Sequence, residues 1–226
     1  MRKSQYKEIE SYMLECMNDT VHDRLHVYRV VNYAAQLADQ TDGVDFDVVI
    51  AAALLHDIGR VEEQRDKNVC HAVVGSAKAK QYLLSKGYPE TFAEHVSQCI
   101  LTHRHKKGRV PQSTEARIVY DADKLDLIGN VGVGRAILFG GQIGEPFYLV
   151  DESGLPTEGL PDEGPSLFRE YHRKLCRLSD KLYTAAAKEI ARSQQEAMNR
   201  YFEALIREVG ENYSSGQTIL NCRLSE

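Results

Sequence analysis

The 226-residue sequence lacks an apolar run long enough to cross a bilayer as a helix. Such a helix needs about 20 consecutive, mostly apolar residues, and no stretch here approaches about 18. Charged residues interrupt the first 19 positions, so no apolar core of a signal peptide is visible there. The sequence therefore predicts a cytoplasmic protein that does not bind a membrane.

Paired cysteine motifs are also absent. The five cysteines are widely scattered, odd in number, and include no CxxC pair. This pattern argues against a framework of disulfide bonds, which normally requires an even set at short, regular spacings. Reduced thiols in a cytoplasm are the simplest interpretation.

An excess of basic residues is missing as well. The formal net charge is -5 and the sequence pI is about 5.9, whereas a protein that binds extended nucleic acid usually carries a basic face that neutralises phosphates. The sequence contains no Walker loop, no GxSxG elbow and no HExxH helix. The glycine-rich run 129–134 does not follow a strand, so we interpret it as close helix packing. A small anionic ligand held by a metal remains compatible with this composition.

Apolar residues recur at helical spacing through most of the chain, which predicts an all-α fold. The separator 85–89 contains Gly87, suited to a left-handed helix cap, and Pro89, suited to the start of a new helix. The predicted helices are an amphipathic segment around 9–17, then 27–38, 45–55, 72–84, 90–103, 114–127, a short one over 131–138, and two between 166 and 209.

The chain length is sufficient for one substantial core, and we expect a single domain over 1–226 with its core at about 19–210. Four of the six prolines and several glycines lie between 140 and 165. This composition predicts a long surface loop there. The polar tail 212–226 is expected to be loosely held.

A His-Asp pair follows the apolar helix 45–55. His56 and Asp57 emerge together where the hydrophobic residues end. Imidazole nitrogen and carboxylate oxygen suit a divalent ion, and His26 upstream with Asp123 downstream would complete a set of four ligands. The alternative is an imidazole favoured by the helix dipole beside a solvated aspartate.

Two ligand choices remain open at this level. His22 lies one helical turn before His26, an i,i+4 spacing that also permits chelation of one ion. Three aspartates, Asp121, Asp123 and Asp126, fall within six residues of the sixth predicted helix. A solvated acidic turn with Lys124 as a surface partner is the alternative interpretation of that cluster.

The order His26, His56-Asp57, Asp123 resembles the HD superfamily of metal-dependent phosphohydrolases. The resemblance extends over roughly residues 19–200. Within the superfamily, the sequence is similar to the single-domain bacterial and archaeal members. The blocks that carry it are HDRLHVYRV, AALLHDIGR, CHAVVGSAKA, ILTHRH, EARIVYDADKLDLIG and KLYTAAAKEIA.

This resemblance implies an irregular all-helical HD-domain bundle. It also implies that the metal ligands are His26, His56, Asp57 and Asp123, with Asp123 chosen over its two neighbours because it matches the aspartate of the family's Ala-Asp-Lys/Arg-Leu block. Members of this branch act on phosphate esters and anhydrides, including nucleotides. They commonly use manganese, magnesium, iron, nickel or cobalt.

Metal-assisted phosphate hydrolysis needs an ion that lowers the pKa of a water and offsets negative charge on phosphorus. We expect Asp57 to bind the metal and to orient that water. We expect His71 and His103 to line the pocket and contact the substrate phosphate or the water, while Lys124 supplies positive charge. The alternative for both histidines is a helix-end imidazole satisfied by a backbone carbonyl.

Binuclear HD-GYP phosphodiesterases place histidines at broadly similar stations around a second metal. In this sequence their adjacent histidine pair is replaced by His103-Arg104, and the loop that names that family is absent. These two departures argue against a second metal at His71 and His103. Such a metal, with cyclic-nucleotide phosphodiesterase activity, is kept as an alternative. The basic run 104–109 either caps the pocket and attracts a polyphosphate or is a solvated connector.

The residues after the His-Asp pair depart from the family's closer members, which often have an acidic residue and a lysine where this chain has Ile58-Gly59-Arg60. Arg60 is a candidate phosphate contact. The loss of a carboxylate at this place also supports a non-catalytic module that senses a nucleotide or other ligand. We nevertheless expect a metal-dependent phosphohydrolase of a small phosphate compound, most plausibly a nucleotide, and leave open whether the chain forms a homodimer.

Overall fold

The computed structural model describes residues 1–17, 24–104, 106, 108–160 and 164–223. Helices dominate the described ranges, which confirms the all-α prediction. The α-helices are α1 (Lys3–Cys16), α2 (Arg24–Asp39), α3 (Phe46–Leu55), α4 (Arg60–Arg65), α5 (His71–Ser85), α6 (Glu90–Thr102), α7 (Thr114–Leu125), α8 (Gly129–Ile143), α9 (Leu167–Arg173) and α10 (Ala185–Arg223).

Contacts between residues divide the chain into two compact units. Unit 1 comprises Met1–Asp126 and Leu182–Lys188, and unit 2 comprises Leu127–Lys181 and Glu189–Glu226. The expectation of a single domain stays a prediction. Within the described ranges, no helix has both the length and the hydrophobicity that crossing a bilayer requires.

Helix α3 is the centre of unit 1. Every residue from Val48 to Leu55 is buried, and α1, α2, α6 and α7 all pack against this helix. A helix that is apolar on all sides is stable only when it is surrounded in this way. Asp45 caps its N-terminus by accepting a hydrogen bond from the Val48 backbone at 3.2 Å. The core of unit 1 therefore holds the end of α3, where the His-Asp pair begins.

The predicted stop-and-restart signal separates α5 from α6. Helix α5 ends at Ser85, Gly87 adopts a left-handed φ of 79°, and Pro89 immediately precedes α6. The two helices then pack extensively against each other. This packing brings His71, at the first residue of α5, to the residue that follows α6, which is His103.

Unit 2 contains α8, α9, most of α10 and an antiparallel pair of two-residue strands, β1 (Leu149–Val150) and β2 (Pro156–Thr157). The rings of Tyr171 and Phe202 stack at 3.7 Å between centroids in its core. A Cβ on Gly132 would stand 2.3 Å from the Leu127 carbonyl oxygen. The same Cβ would stand 3.1 Å from Met198 Cε on α10, so the close helix packing predicted for the glycine-rich run is present at this position.

Three boundaries differ from the sequence predictions. Helix α8 continues to Ile143 and the strand pair follows it, so the segment 140–165 is not wholly loop. Helix α9 ends at Arg173, and short 3-10 turns at Leu175–Arg177 and Ser179–Lys181 follow it. The tail predicted to be loose is helical to Arg223. Most of its residues are exposed, so no buried stripe marked it as helical in the sequence.

Candidate metal centre

The four predicted ligands come from three elements of unit 1. His26 lies in the first turn of α2, His56 and Asp57 follow α3 directly, and Asp123 lies in the last turn of α7. All four are buried; the exposed fraction is 0% for His56 and 1% for Asp57. The interpretation of Asp57 as a solvated helix-end group is therefore wrong, because the surrounding helices exclude water from it.

The ligand atoms of these four side chains converge. The Nε2 atoms of His26 and His56 are 3.2 Å apart, and Asp123 Oδ1 is 3.3 Å from His26 Nε2 and 3.9 Å from His56 Nε2. Asp57 Oδ2 is 3.8 Å from His26 Nε2 and 3.6 Å from His56 Nε2. The structure thus brings the four side chains to one point.

Hydrogen bonds at Nδ1 set the orientation of these two imidazoles. His26 Nδ1 donates to Asp126 Oδ2 at 2.7 Å, and His56 Nδ1 donates to the Ala53 carbonyl at 2.8 Å. Both acceptors hold a hydrogen on Nδ1, so in the neutral imidazole the Nε2 lone pair points inward. This is the tautomer that binds a metal through Nε2.

A second group of ligand atoms adjoins the first and shares Asp57. Asp57 Oδ1 is 3.4 Å from His71 Nε2 and 3.8 Å from His103 Nε2, and the two Nε2 atoms are 3.2 Å apart. His103 Nδ1 donates to the Ile100 carbonyl at 2.6 Å, as the backbone-satisfied alternative requires. Its Nε2 nevertheless faces the cluster, so this histidine is not occupied by the backbone alone.

Burial and neighbouring charges control the protonation of the cluster. Burial lowers the pKa of His56, lowers that of His103 well below its usual value, and lowers that of His71 to about 4. Burial alone would raise the pKa of Asp57, but Arg60 and the imidazoles hold it well below its usual range. These three imidazoles are thus neutral and Asp57 is anionic near pH 7.

Asp123 is ionised for a related reason. Burial opposes its charge, but the adjacent Lys124 and the nearby imidazoles of His26 and His56 hold its pKa well below the usual range. Lys124 Nζ donates to Asp123 Oδ2 at 2.6 Å. This contact leaves Oδ1, the other oxygen, towards the imidazoles.

Glu63 contacts the cluster, and no sequence pattern indicates this. Its Oε2 accepts from His71 Nδ1 at 2.7 Å and from Arg60 NH1 at 3.1 Å, and its Oε1 accepts from Arg104 NH1 at 2.5 Å. Burial would raise its pKa, but the contacts with His71 and Arg104 lower it to about 2. The neighbouring Glu62 instead binds Lys78, so only one of the two adjacent glutamates faces the cluster.

The aspartates on either side of Asp123 have different tasks. Asp126 orients His26 and is held in turn by Arg29, whose Nε donates to Asp126 Oδ1 at 2.6 Å. Asp121 accepts from the backbone of Tyr183 at 2.9 Å and from the backbone of Thr184 at 2.7 Å. The interpretation of this turn as a solvated acidic patch is wrong, since all three carboxylates are buried and hydrogen-bonded.

The structure describes the basic run 104–109 in part and does not describe His22. His22, the competing ligand, lies outside the described residues, so its role stays a prediction. In the run 104–109, Arg104 contacts Glu63, and Arg109 NH1 lies 3.7 Å from Cys70 Sγ. These two described arginines turn towards the residues around His71 and are more than a solvated connector.

The donor set fits a divalent cation. A metal that binds nitrogen or oxygen at about 2.0–2.2 Å holds neighbouring donors roughly 2.9–3.6 Å apart. The five separations in the first group run from 3.2 to 3.9 Å; three lie within this range, and two exceed it by 0.2 to 0.3 Å. Inward Nε2 lone pairs and carboxylate oxygens are donor types that divalent metals bind. The residues present supply the ligand types and the space that such an ion requires.

Comparison with known proteins places this geometry in a family. The HD domain model matches residues 25–128. The crystal structure of an HD-superfamily hydrolase from Bacillus thuringiensis is similar to the chain with a TM-score of 0.70 at 27% identity, over 92% of this chain and 98% of that one. Residues 25–128 of the chain are thus an HD domain, and the chain as a whole is similar to an HD-superfamily hydrolase. This confirms the resemblance inferred from the sequence blocks.

Two relatives of this protein come from Bacillus subtilis. YpgQ is 28% identical over 211 residues, which cover 91% of this chain and 94% of YpgQ. The crystal structure of YpgQ in complex with ADP is similar with a TM-score of 0.72, over 91% of this chain and 95% of that one. YueE, named as a candidate phosphohydrolase, is 30% identical over 113 residues, or 45% of this chain and 64% of YueE.

The HD match covers every residue of the two ligand groups. It begins at Leu25, one residue before His26, and ends at Ile128, two residues after Asp126. All of the contacts described above lie in unit 1. The family match therefore coincides with the buried histidine and aspartate cluster.

Proposed function

We propose that this HD-domain protein cleaves a phosphate ester or anhydride of a small molecule, with a nucleotide as the preferred class of substrate. The observation that carries the proposal is the convergence of His26, His56, Asp57 and Asp123 through inward-facing ligand atoms 3.2 to 3.9 Å apart. We assign these four side chains as ligands of one divalent ion. A bound ion supplies a Lewis acid that lowers the pKa of water and offsets charge on phosphorus.

The histidines of the second group are placed to move a proton. Both are neutral near pH 7, because burial lowers their pKa values, so each Nε2 can accept a proton from water. Asp57 Oδ1 lies 3.4 Å from His71 Nε2 and would stabilise the imidazolium that forms. We therefore assign proton transfer to His71 and His103, and orientation of the attacking water to Asp57.

Lys124 and the arginines provide positive charge for an anionic substrate. Lys124 Nζ and the Arg104 guanidinium contact Asp123 and Glu63 respectively. Both cations are partly exposed, with side-chain exposed fractions of 14% and 38%. Groups of this kind can turn towards a phosphate while they keep a carboxylate partner.

A nucleotide is favoured among phosphate compounds by one comparison. YpgQ was crystallised in complex with ADP. It is similar to this chain over 91% of the chain, so a related ligand is the most direct expectation. The native metal stays open among manganese, magnesium, iron, nickel and cobalt; manganese is the first to test.

The test uses purified protein supplied with Mn²⁺ and a panel of nucleoside mono-, di- and triphosphates. Release of inorganic phosphate or pyrophosphate is measured for the wild type, His56→Ala and Asp57→Ala. We expect turnover with at least one nucleotide and its loss in both variants, whereas His172→Ala, which changes an exposed histidine, should retain it. Metal-loaded protein that releases nothing across the panel would contradict the proposal. Nucleotide binding without turnover in calorimetry would then identify the non-catalytic sensor.

The second group of ligand atoms favours one alternative, a binuclear phosphodiesterase. Asp57, His71 and His103 form a buried trio that could hold a metal. In that case the isolated protein would carry two ions per chain, and a cyclic nucleotide would be hydrolysed. Elemental analysis with a cyclic-nucleotide assay separates this alternative from the mononuclear enzyme.

A further inference from the structure

The two groups of ligand atoms are built around one carboxylate. Asp57 Oδ2 faces His26 and His56, at 3.8 and 3.6 Å from their Nε2 atoms. Asp57 Oδ1 faces His71 and His103, at 3.4 and 3.8 Å. A carboxylate with one oxygen towards each group can bridge two cations. The number of ions at the site therefore depends on what else contacts Oδ1.

Arg60 makes that contact. Its Nε donates to Asp57 Oδ1 at 2.9 Å, and its NH1 lies 3.1 Å from Glu63 Oε2. A metal bound to Oδ1 at the usual distance would lie within about 5 Å of Arg60 Nε. The side chains of Asp57 and His71 are 1% and 0% exposed, so little water is present to screen the two positive charges. The guanidinium and a second dication would repel each other at this separation.

The charges around the cluster are balanced without a second metal. Four carboxylates each contact a cationic side chain, and the formal charges of these eight groups cancel. The pairs are Asp57 with Arg60 at 2.9 Å, Glu63 with Arg104 at 2.5 Å, Asp123 with Lys124 at 2.6 Å, and Asp126 with Arg29 at 2.6 Å. One divalent ion then adds a charge that a phosphate dianion offsets. A second ion would leave an excess of two positive charges.

We infer that Arg60 takes the place of a second metal. Its guanidinium neutralises the Oδ1 side of Asp57 and restricts the site to one divalent ion. The inference rests on the proposed function, because it concerns the metal that the proposed reaction uses. Arg60 is in this view a positioning residue that sets the metal count and keeps His71 and His103 available for proton transfer.

The test measures metal content rather than activity. Full-length protein is stripped with a chelator, reloaded with Mn²⁺ and freed of excess metal, and manganese per chain is determined by elemental analysis. Electron paramagnetic resonance distinguishes an isolated Mn²⁺ from an exchange-coupled pair. We expect one ion in the wild type and two coupled ions in Arg60→Gln. Arg60→Lys keeps the charge and should hold one ion. Arg65→Gln, which changes an exposed arginine in the same helix, should also hold one.

Each outcome decides a separate point. Two ions in the wild type, or one ion in a folded Arg60→Gln protein, would overturn the inference. Arg60→Met is prepared in parallel, so that a folding defect of the glutamine variant does not remove the test, and thermal melts confirm folding. If neither variant folds, the wild-type count decides alone, because one ion supports the inference and two overturn it. A wild type that holds no manganese would contradict the proposed metal site itself.

Discussion

Asp126 Oδ2 lies 2.7 Å from His26 Nδ1, and the same carboxylate accepts a hydrogen bond from Arg29 Nε at 2.6 Å. The three side chains form a chain of contacts in which a fixed carboxylate orients an imidazole towards the metal site. Carboxylate partners of this kind fix the histidine tautomer and raise its affinity for metal. Asp126 thus supports the candidate metal centre although it is not one of the proposed ligands.

We predict that Asp126→Asn weakens metal binding about 10- to 100-fold, because an amide no longer requires the Nδ1 hydrogen of His26. Calorimetric titration of the metal-free protein with Mn²⁺ measures the effect. Asp121→Asn, in the helix that ends one residue before Asp126, is the matched control; it alters contacts with Tyr183 and Thr184 and should leave the manganese affinity within about twofold. Equal losses in the two variants would contradict the assigned role of Asp126.

We predict that His103→Gln lowers turnover by about 10²- to 10⁴-fold, the range typical of a lost proton-transfer group. The variant should still bind one Mn²⁺, because the first ligand group does not include His103. Rate measurements at saturating nucleotide and elemental analysis check the two parts. A variant that loses all its manganese together with its activity would assign His103 to the metal instead.

The stability of the metal-free protein should fall as the pH drops from about 7.5 to about 5. Burial lowers the pKa of His71 to about 4, lowers that of His56, and lowers that of His103 well below its usual value. The unfolded chain has ordinary imidazoles with a pKa near 6.5 and binds more protons in this range, so the free energy of unfolding decreases. His71, whose pKa is about 4, accounts for about 1–2 kcal/mol of this loss by pH 5.5.

Urea denaturation at a series of pH values measures this slope. His172→Gln, at an exposed position, should reproduce the wild-type slope. His71→Gln should reduce it, because one of the contributing imidazoles is gone. A free energy of unfolding that is constant between pH 7.5 and 5 would contradict the neutral, buried state of these histidines.

Gly59→Ala should destabilise the protein by about 1–3 kcal/mol, a typical cost of overpacking. A Cβ at this position would meet the His71 carbonyl oxygen at 2.3 Å and the Gly75 nitrogen at 2.8 Å, both of which are backbone atoms. Helix α5 would have to move, and His71 would move with it, so we also expect lower turnover. Thermal or urea denaturation gives the stability change.

The matched control is Gly134→Ala, within α8, where nothing lies within 4 Å of the added Cβ. Alanine at this helical position should stabilise the protein by about 0.5–1 kcal/mol. A neutral result at Gly59 would show that α4 and α5 can separate without cost.

The helices with a clear apolar pattern could be predicted from the sequence, and those without one could not. Helix α3 has eight consecutive buried residues, and its end was placed correctly at the His-Asp pair. Helix α4 has six residues, none of them buried, so it carries no periodicity that a sequence pattern could reveal. Glu63 lies on this helix, which is why its contact with His71 was missed.

The aspartates of α7 show where pattern reasoning ends. Residues 121 and 123 are separated by about 200° around a helix, so they must face different surroundings. Which of the two faces the metal depends on α2, whose His26 lies about a hundred residues earlier in the chain. The family resemblance selected Asp123, and the structure places its Oδ1 3.3 Å from His26 Nε2. Asp126 orients His26 while Arg29 holds it in place, and these contacts can be seen only in the structure.

The hydrogen bonds from Tyr183 and Thr184 to Asp121 have a consequence for the order in which this protein is made. The first segment of unit 1 ends at Asp126, and its second segment begins at Leu182. A nascent chain that ends at Asp126 therefore contains every side chain of the candidate metal centre. It still lacks the backbone donors that satisfy the buried carboxylate of Asp121. Completion of this unit must wait until the ribosome has synthesised the intervening segment and the first turn of α10. A fragment that stops where the family match ends would face the same deficit permanently.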